Sequence, residues 1–284
     1  PLRVLHNTFI VNLAISDMTV SGAVNASGLT AILTDGKSLM NRPALCEFLG
    51  MVCITACISS VLNIAGISIN RYVKICHSKI YHKIYNRRTV PWMVFLFWVF
   101  TFLIDFPSFG FIGWGRHAFS FKFMLCTYVQ GYSTYGYTFF FFLVGFMVPW
   151  LASGVAYLKI FLFTRAASRN LQKSLEGQPQ NKNKSKAGIS ETRILRATFT
   201  IWCMFLIMWS PYALTILFDR NHEWSAVVYA VAMTFAHGNS SINGIIYGVT
   251  NKQFRIGYWK ILTCGRGCER GVKIESSGTK TSTA

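Results

Sequence analysis

Six long stretches in which apolar residues outnumber polar ones divide this chain, joined by short polar or basic connections. They cover 5–33, 45–72, 90–111, 134–163, 194–218 and 224–249. About 20 residues at 1.5 Å rise cross a hydrocarbon core of about 30 Å, so each stretch predicts a membrane-spanning helix. The first carries scattered Ser, Thr and Gly, as helices do where they pack on one another instead of on lipid. A soluble helical core does not supply six runs of this length. The fold class read from the pattern is all-α, a transmembrane helix bundle.

Beyond the last run, Phe254, Ile256, Tyr258, Trp259, Ile261 and Leu262 alternate with Lys252, Arg255 and Lys260. This predicts a short amphipathic helix over 251–262, lying in the membrane interface. The segment 166–190 is polar and predicts a mobile loop. Residues 1–262 form the predicted membrane domain and 263–284 a disordered tail.

The net charge of +18 raises the prospect of nucleic acid, but the distribution of the 28 Lys and Arg removes it. Alternate connections hold Arg3, five residues in 74–88, nine in 159–196 and seven in 252–280. The opposite connections hold Lys37, Arg42, Arg116, Lys122 and Arg220, and Arg71 ends the second run at the basic face. By the positive-inside rule the basic side is cytoplasmic, and anionic inner-leaflet lipid accounts for much of the charge. Both chain ends are then cytoplasmic. The chain opens on Pro1 inside what reads as a connection, with no initiator Met or signal peptide, which points to sequence upstream.

Eight cysteines are scattered without zinc-type spacing. Cys46 and Cys126 fall on the outer, oxidising side, where a disulfide between them can persist. Cys264 and Cys268 lie in the basic tail and are candidates for S-acylation, with free thiols as the alternative.

Polar residues inside the runs carry the chemistry. Asp17 lies about 12 residues, roughly 18 Å, from the inner end of its helix. Ser60, Asn239, Ser240 and Asn243 occupy similar or slightly shallower depths. A carboxylate there needs a partner, and no Lys or Arg is at that depth. Two readings stay open: an allosteric Na⁺ with water, or a protonated Asp in a static hydrogen-bond network. Asp105 is a second intramembrane acid, placed by depth at an outward-facing cavity. His237 is either a packing residue or a ligand contact. Pro107, Pro149 and Pro211 predict breaks or kinks, with Trp209 just below the bend at Pro211. Glu191 stands at the inner start of the fifth run, opposite Arg71, as a candidate latch partner or a solvated glutamate.

In order along the chain, Leu13-Ala14-Ile15-Ser16-Asp17, Cys46 with Cys126, Asn70-Arg71-Tyr72, Trp98, Pro149 with Tyr157, Phe205 with Trp209-Ser210-Pro211, and Asn243-Gly244-Ile245-Ile246-Tyr247 fall one set per helix. In this combination the chain resembles a rhodopsin-like (class A) G-protein-coupled receptor. That family has seven helices, so the six runs resemble its second to seventh, and the first is expected upstream. Within the family the chain is similar to melatonin receptors and their invertebrate relatives. The shared features are Asn-Arg-Tyr followed by Ile75-Cys76-His77-Ser78, Cys126-Thr127-Tyr128-Val129-Gln130, and Asn239-Ser240-Ser241-Ile242-Asn243.

The resemblance implies a plasma-membrane receptor, not an enzyme, with a Cys46–Cys126 disulfide, an extracellular small-molecule ligand and a heterotrimeric G protein as partners, and arrestin as a further one. It implies no cofactor beyond the Na⁺ at Asp17. Ligand candidates are Cys53, Asp105, Tyr128, Gln130, Trp209, Ala213 and His237. Asn70, Arg71, Tyr72, Tyr157, Glu191, Phe205, Trp209, Pro211 and Tyr247 are the activation set. The chain departs from melatonin receptors at three anchoring positions, Ser108, Gly145 and Ala213, where those receptors carry Asn, His and Asn. An aminergic acid is replaced by Cys53, and the run 224–249 has no lysine for a retinal Schiff base. The competing class is an ion-coupled transporter or channel with Asp17 and Asp105 as relay carboxylates. No internal repeat supports that class.

Overall fold

The computed structural model describes residues 7–108, 113–129, 134–174, 184–250 and 255–259; the side chains of 7, 168, 170–174, 184–194 and 250 fall outside that description. The chain opens with α1 (Asn7–Thr19), which passes through a π-helical turn, Val20–Asn25, into α2 (Ala26–Leu33). A short α3 (Lys37–Met40) leads to α4 (Pro43–Cys76), the 34-residue axis of the bundle. Pro43 starts α4 where its missing N–H costs nothing.

On the inner side α5 (Ser78–Ile84) turns the chain into α6 (Thr89–Asp105). An outer hairpin, β1 (His117–Ser120) and β2 (Leu125–Tyr128), pairs antiparallel with His117 opposite Tyr128. Then α7 (Tyr135–Phe141) runs through a second π-helical turn, Phe142–Met147, into α8 (Val148–Ser174). The chain closes with α9 (Lys184–Phe218) and α10 (Ala226–Thr250).

Helix α4 packs against α1, α6, α8, α9 and the hairpin. It is apolar nearly all round and buried on most faces, as an axial helix must be. The outer helices show the reverse pattern. On α8, Val148, Leu151, Val155, Leu158 and Leu162 recur every three or four residues and are each more than half exposed. Such a stripe is stable only against lipid.

Among the described residues, five helical stretches are long and apolar enough to cross a membrane: Thr8–Leu33, Pro43–Cys76, Thr89–Ser108, Tyr135–Ala167 and Leu195–Phe218. The sixth expected crossing is α10, 25 residues long, whose hydropathy is diluted by His237, Asn239, Ser240, Ser241 and Asn243. It packs on α9 over much of its length.

Three expectations change. Pro107 does not kink a continuing helix; it lies in a 3₁₀ turn, Phe106–Ser108, that ends α6 short of residue 111. Pro149 lies inside the continuous helical stretch Tyr135–Ala167, just after the π turn, so the irregularity precedes it; Pro211 is interior to α9. The polar segment 166–190 is not all loop, since α8 reaches Ser174 and α9 begins at Lys184. Its Ala, Arg, Gln, Lys and Leu are strong helix formers, so the helices outlast the apolar runs. Of 251–262, residues 255–259 are helical, and the tail with Cys264 and Cys268 lies outside the described residues.

Candidate functional site

Four helices share a polar network, three of them meeting at Asp17 of α1. Ser60 Oγ on α4 donates to its Oδ1 at 3.2 Å, and Asn243 Nδ2 on α10 donates to Oδ2 at 3.0 Å. Beside it Ser16 Oγ donates to Ser59 Oγ at 2.9 Å, and just over one helical turn inward Asn12 Nδ2 donates to Asn63 Oδ1 at 3.1 Å. Trp98 Nε1 on α6 completes the set by donating to Asn12 Oδ1 at 2.9 Å. All but the half-buried Trp98 are buried, so these bonds form in low dielectric, where satisfied networks hold helices in one arrangement. Asn239 is also buried, and its Oδ1 has no hydrogen-bond partner. Ser240 is half-buried.

At the inner end of α4, Arg71 is only 1% exposed and is the largest fully buried side chain. Tyr157 of α8 and Tyr247 of α10 are buried beside it, near enough to feel its charge. Asn70 Nδ2 donates to the Tyr81 hydroxyl of α5 at 3.3 Å, and Tyr72 meets His77 at 2.9 Å. The Glu191 side chain falls outside the described residues.

Above the polar network lies an aromatic column. Phe205 stacks on Trp209 at 5.5 Å, and Trp209 packs on Phe146 at 4.5 Å. Tyr212, one turn further out, shares a short hydroxyl–hydroxyl bond with Tyr128 of the hairpin. Trp209 and Ala213 line a groove of about 390 Å³ between α9 and the π turn that joins α7 to α8. His237 lines another of about 420 Å³ between α2 and α10. Its Nδ1 meets Asn25 Oδ1 at 2.8 Å and its Nε2 meets Cys53 Sγ at 3.7 Å.

The seven ligand candidates therefore divide. Cys53 joins His237, Tyr128 joins Tyr212, and Trp209 neighbours Ala213; Gln130 lies outside the described residues. Asp105 is placed differently from the expectation. It is fully buried, and its Oδ1 accepts from His117 Nε2 at 3.0 Å, Tyr137 Oη at 3.1 Å and Ser108 Oγ at 3.3 Å. It anchors the hairpin from within and lines neither groove. Gly50 of α4 makes room for this, since a Cβ there would meet the His117 ring at 2.8 Å.

A second outer clamp escaped the sequence. Asp219, at the end of α9, accepts from the backbone N–H groups of Glu223 and Trp224 at 2.8 and 2.7 Å and from the Tyr229 hydroxyl. Burial pushes the Asp219 carboxyl up, but these donors outweigh it and hold its pKa below the usual range. Lys122 of the hairpin donates to the carbonyls of His222 and Trp224. Burial first, then the Lys122 charge, lowers the His222 imidazole against the opposing pull of Asp219. The Cys46–Cys126 disulfide ties β2 to the outer end of α4. With the His117–Asp105 and Tyr128–Tyr212 bonds, the hairpin is thus fixed at four points over the bundle.

A family profile described as 7 transmembrane receptor (rhodopsin family) matches residues 2–247. The chain belongs to this receptor family. The receptor is 32% identical over 273 residues to melatonin receptor type 1B-B of Danio rerio, across 92% of this chain and 73% of that protein. It is 30% identical over 263 residues to "Rhodopsin, GQ-coupled" of Mizuhopecten yessoensis, across 89% of this chain and 52% of that protein. The crystal structure of squid rhodopsin matches its fold with a TM-score of 0.73 at 24% identity, covering 96% of this chain and 79% of that one. The seven-helix bundle class and the likeness to melatonin receptors both stand, and the receptor is not an enzyme. Asp17 and Asp105 share no hydrogen-bond partner, so the geometry gives a two-carboxylate relay no support.

Proposed function

We propose that this receptor converts an extracellular small-molecule signal into nucleotide exchange on a heterotrimeric G protein, with the buried Arg71 as the moving latch. The observation that carries the reading is a guanidinium at the inner end of the bundle axis, flanked by Tyr157 and Tyr247 from two other helices. An unpaired charge at this depth is costly, so its partners define the state of the bundle. Glu191 of α9 holds it in the resting state, and the two tyrosines hold it when the inner end of α9 has moved out about Pro211.

Agonist binds on the outer side among Cys53, Tyr128, Gln130, Trp209, Ala213 and His237, and shifts Trp209 and Phe205. Na⁺ at Asp17, Ser60, Asn239, Ser240 and Asn243 favours the resting state, so agonist and ion oppose each other through one equilibrium. Ser108, Gly145 and Ala213 stand where melatonin receptors place hydrogen-bonding anchors. A site lacking such groups discriminates against the ligand that needs them. The agonist is accordingly a small amphipathic molecule other than melatonin. The receptor resides in the plasma membrane with its carboxyl terminus cytoplasmic, tethered there by acylation of Cys264 and Cys268, and arrestin competes for the same inner surface.

The test is guanine-nucleotide exchange on purified G proteins by the full chain in lipid, with basal activity and a screen of amphipathic amines and indoles as inputs. Arg71→Leu should abolish exchange while surface expression persists. Undiminished exchange by Arg71→Leu rejects the latch.

A further inference from the structure

Two buried thiols lie one turn apart on the same face of α4: Cys53, 3% exposed, and Cys57, 6% exposed. The ring of His237, 6% exposed, meets Cys53 from α10. The two sulfurs and a ring nitrogen all lie within 4.8 Å of one another. No sequence motif announces this group, because the histidine comes from 184 residues away. We propose that Cys53, Cys57 and His237 form a binding site for a Zn²⁺-class transition-metal ion at the centre of the bundle.

Three features of the geometry argue for a metal over a packing cluster. The first is spacing. Bonds of about 2.3 Å to sulfur and 2.0 Å to nitrogen around a tetrahedral ion put S and N about 3.6 Å apart. Cys53 Sγ and His237 Nε2 stand at 3.7 Å. No pair stands more than 4.8 Å apart, so closing by about 1 Å brings any of them to the separations of such a site. Rotamer adjustment of the cysteines can supply that.

The second is the outer partner of the histidine. Asn25 Oδ1 can only accept, so Nδ1 carries the proton it meets at 2.8 Å. This fixes the tautomer that presents the Nε2 lone pair towards the thiols, the arrangement found behind metal-ligating histidines. The third is charge. Two thiols that release their protons to solvent on binding become thiolates, and with Zn²⁺ they sum to zero. A neutral centre escapes most of the desolvation cost of an isolated ion at this depth. Soft thiolates select Zn²⁺ over Na⁺, Mg²⁺ or Ca²⁺, so the site is chemically distinct from the oxygen-rich surroundings of Asp17. The fourth coordination position is left for water or an incoming ligand group.

The proposal does not depend on the G-protein reading. Co²⁺, which gives visible absorption in thiolate sites, is the probe. The full chain in lipid nanodiscs, with Cys76, Cys203, Cys264 and Cys268 changed to Ser to silence other thiols, is titrated with Co²⁺. One equivalent should bind with thiolate-to-cobalt charge-transfer and tetrahedral d–d bands, and one equivalent of Zn²⁺ should bleach them. Cys57→Ala and His237→Ala should lose the bands. Asn25→Ala should keep the spectrum but weaken binding about tenfold. Absence of charge-transfer bands in the parent at saturating Co²⁺ overturns the site, as do bands that survive in Cys53→Ala/Cys57→Ala. Because the parent titration is decisive without any core variant, misfolding of a variant does not shelter the proposal. A bound metal with no nucleotide exchange, or exchange with no bound metal, separates this inference from the proposed function.

Discussion

His117 Nε2 in the outer hairpin stands 3.0 Å from Oδ1 of Asp105 at the end of α6. Ser108 shares the same imidazole nitrogen at 2.7 Å, and Tyr137 brings α7 to the same carboxylate. Removing one member of a buried polar pair leaves the other unsatisfied at a cost of about 3 kcal/mol. His117→Ala and Asp105→Asn should each lower the thermal unfolding midpoint in detergent. The double variant should cost less than the sum, because both changes break one interaction. Strict additivity would show that the two residues act separately.

Acid should loosen the outer loops through His222. Its folded pKa is lowered by burial and by Lys122, so the folded state prefers the neutral ring. The sign follows: this contribution is complete above the unfolded value of about 6.5 and is lost as pH falls through the folded one. The unfolding midpoint of the wild type should drop between pH 7.5 and pH 5.5. His222→Asn should flatten that dependence. Asp219, with its carboxyl held below the usual range, stabilises above about pH 4 and loses its contribution only below that.

Sodium sensitivity should be carried by Asp17. Replacing NaCl with an organic-cation chloride should raise basal nucleotide exchange by the wild type about fivefold or more, the range of ordinary allosteric coupling. Asp17→Ala should respond equally in both salts. A sodium effect that persists in this variant places the ion elsewhere.

Restoring a melatonin-receptor histidine at position 145 should fail by itself. A Cβ on Gly145 would stand 3.0 Å from Ile58 Cδ1, and Ile58 is fully buried on α4. Overpacking of this kind costs about 1–3 kcal/mol. Gly145→His should reduce folded receptor, measured as monodisperse yield, and Gly145→His/Ile58→Ala should recover it. Equal yields for the two would mean that the helix shifts to make room.

Hydrophobic periodicity and charge placement were enough to read the bundle, because a bilayer punishes every misplaced polar residue. Placement on the outer side suggested the Cys46–Cys126 bridge, and family motifs supported it and added the order of the helices. What stayed hidden depends on contacts between distant segments. Asp105 reads as a free intramembrane acid until His117 is found across the hairpin. Cys57 is an ordinary core residue until His237 arrives from the last helix, although Cys53 and Cys57 at i and i+4 already share a face. The ends of α8 and α9 were obscured for another reason: polar helix formers continue a helix without any apolar signal.

The π-helical turn at Val20–Asn25 has a consequence for how such a receptor can change. Each residue advances a helix by about 100°, so losing one from this turn would swing Asn25 off His237 and re-aim all of α2. Asp17, on the inward side of the turn, would keep its bearing. Chain length at this one point thus acts as a dial on the bearing of α2, turning it against α10 while the Asp17 end of the helix stays in register.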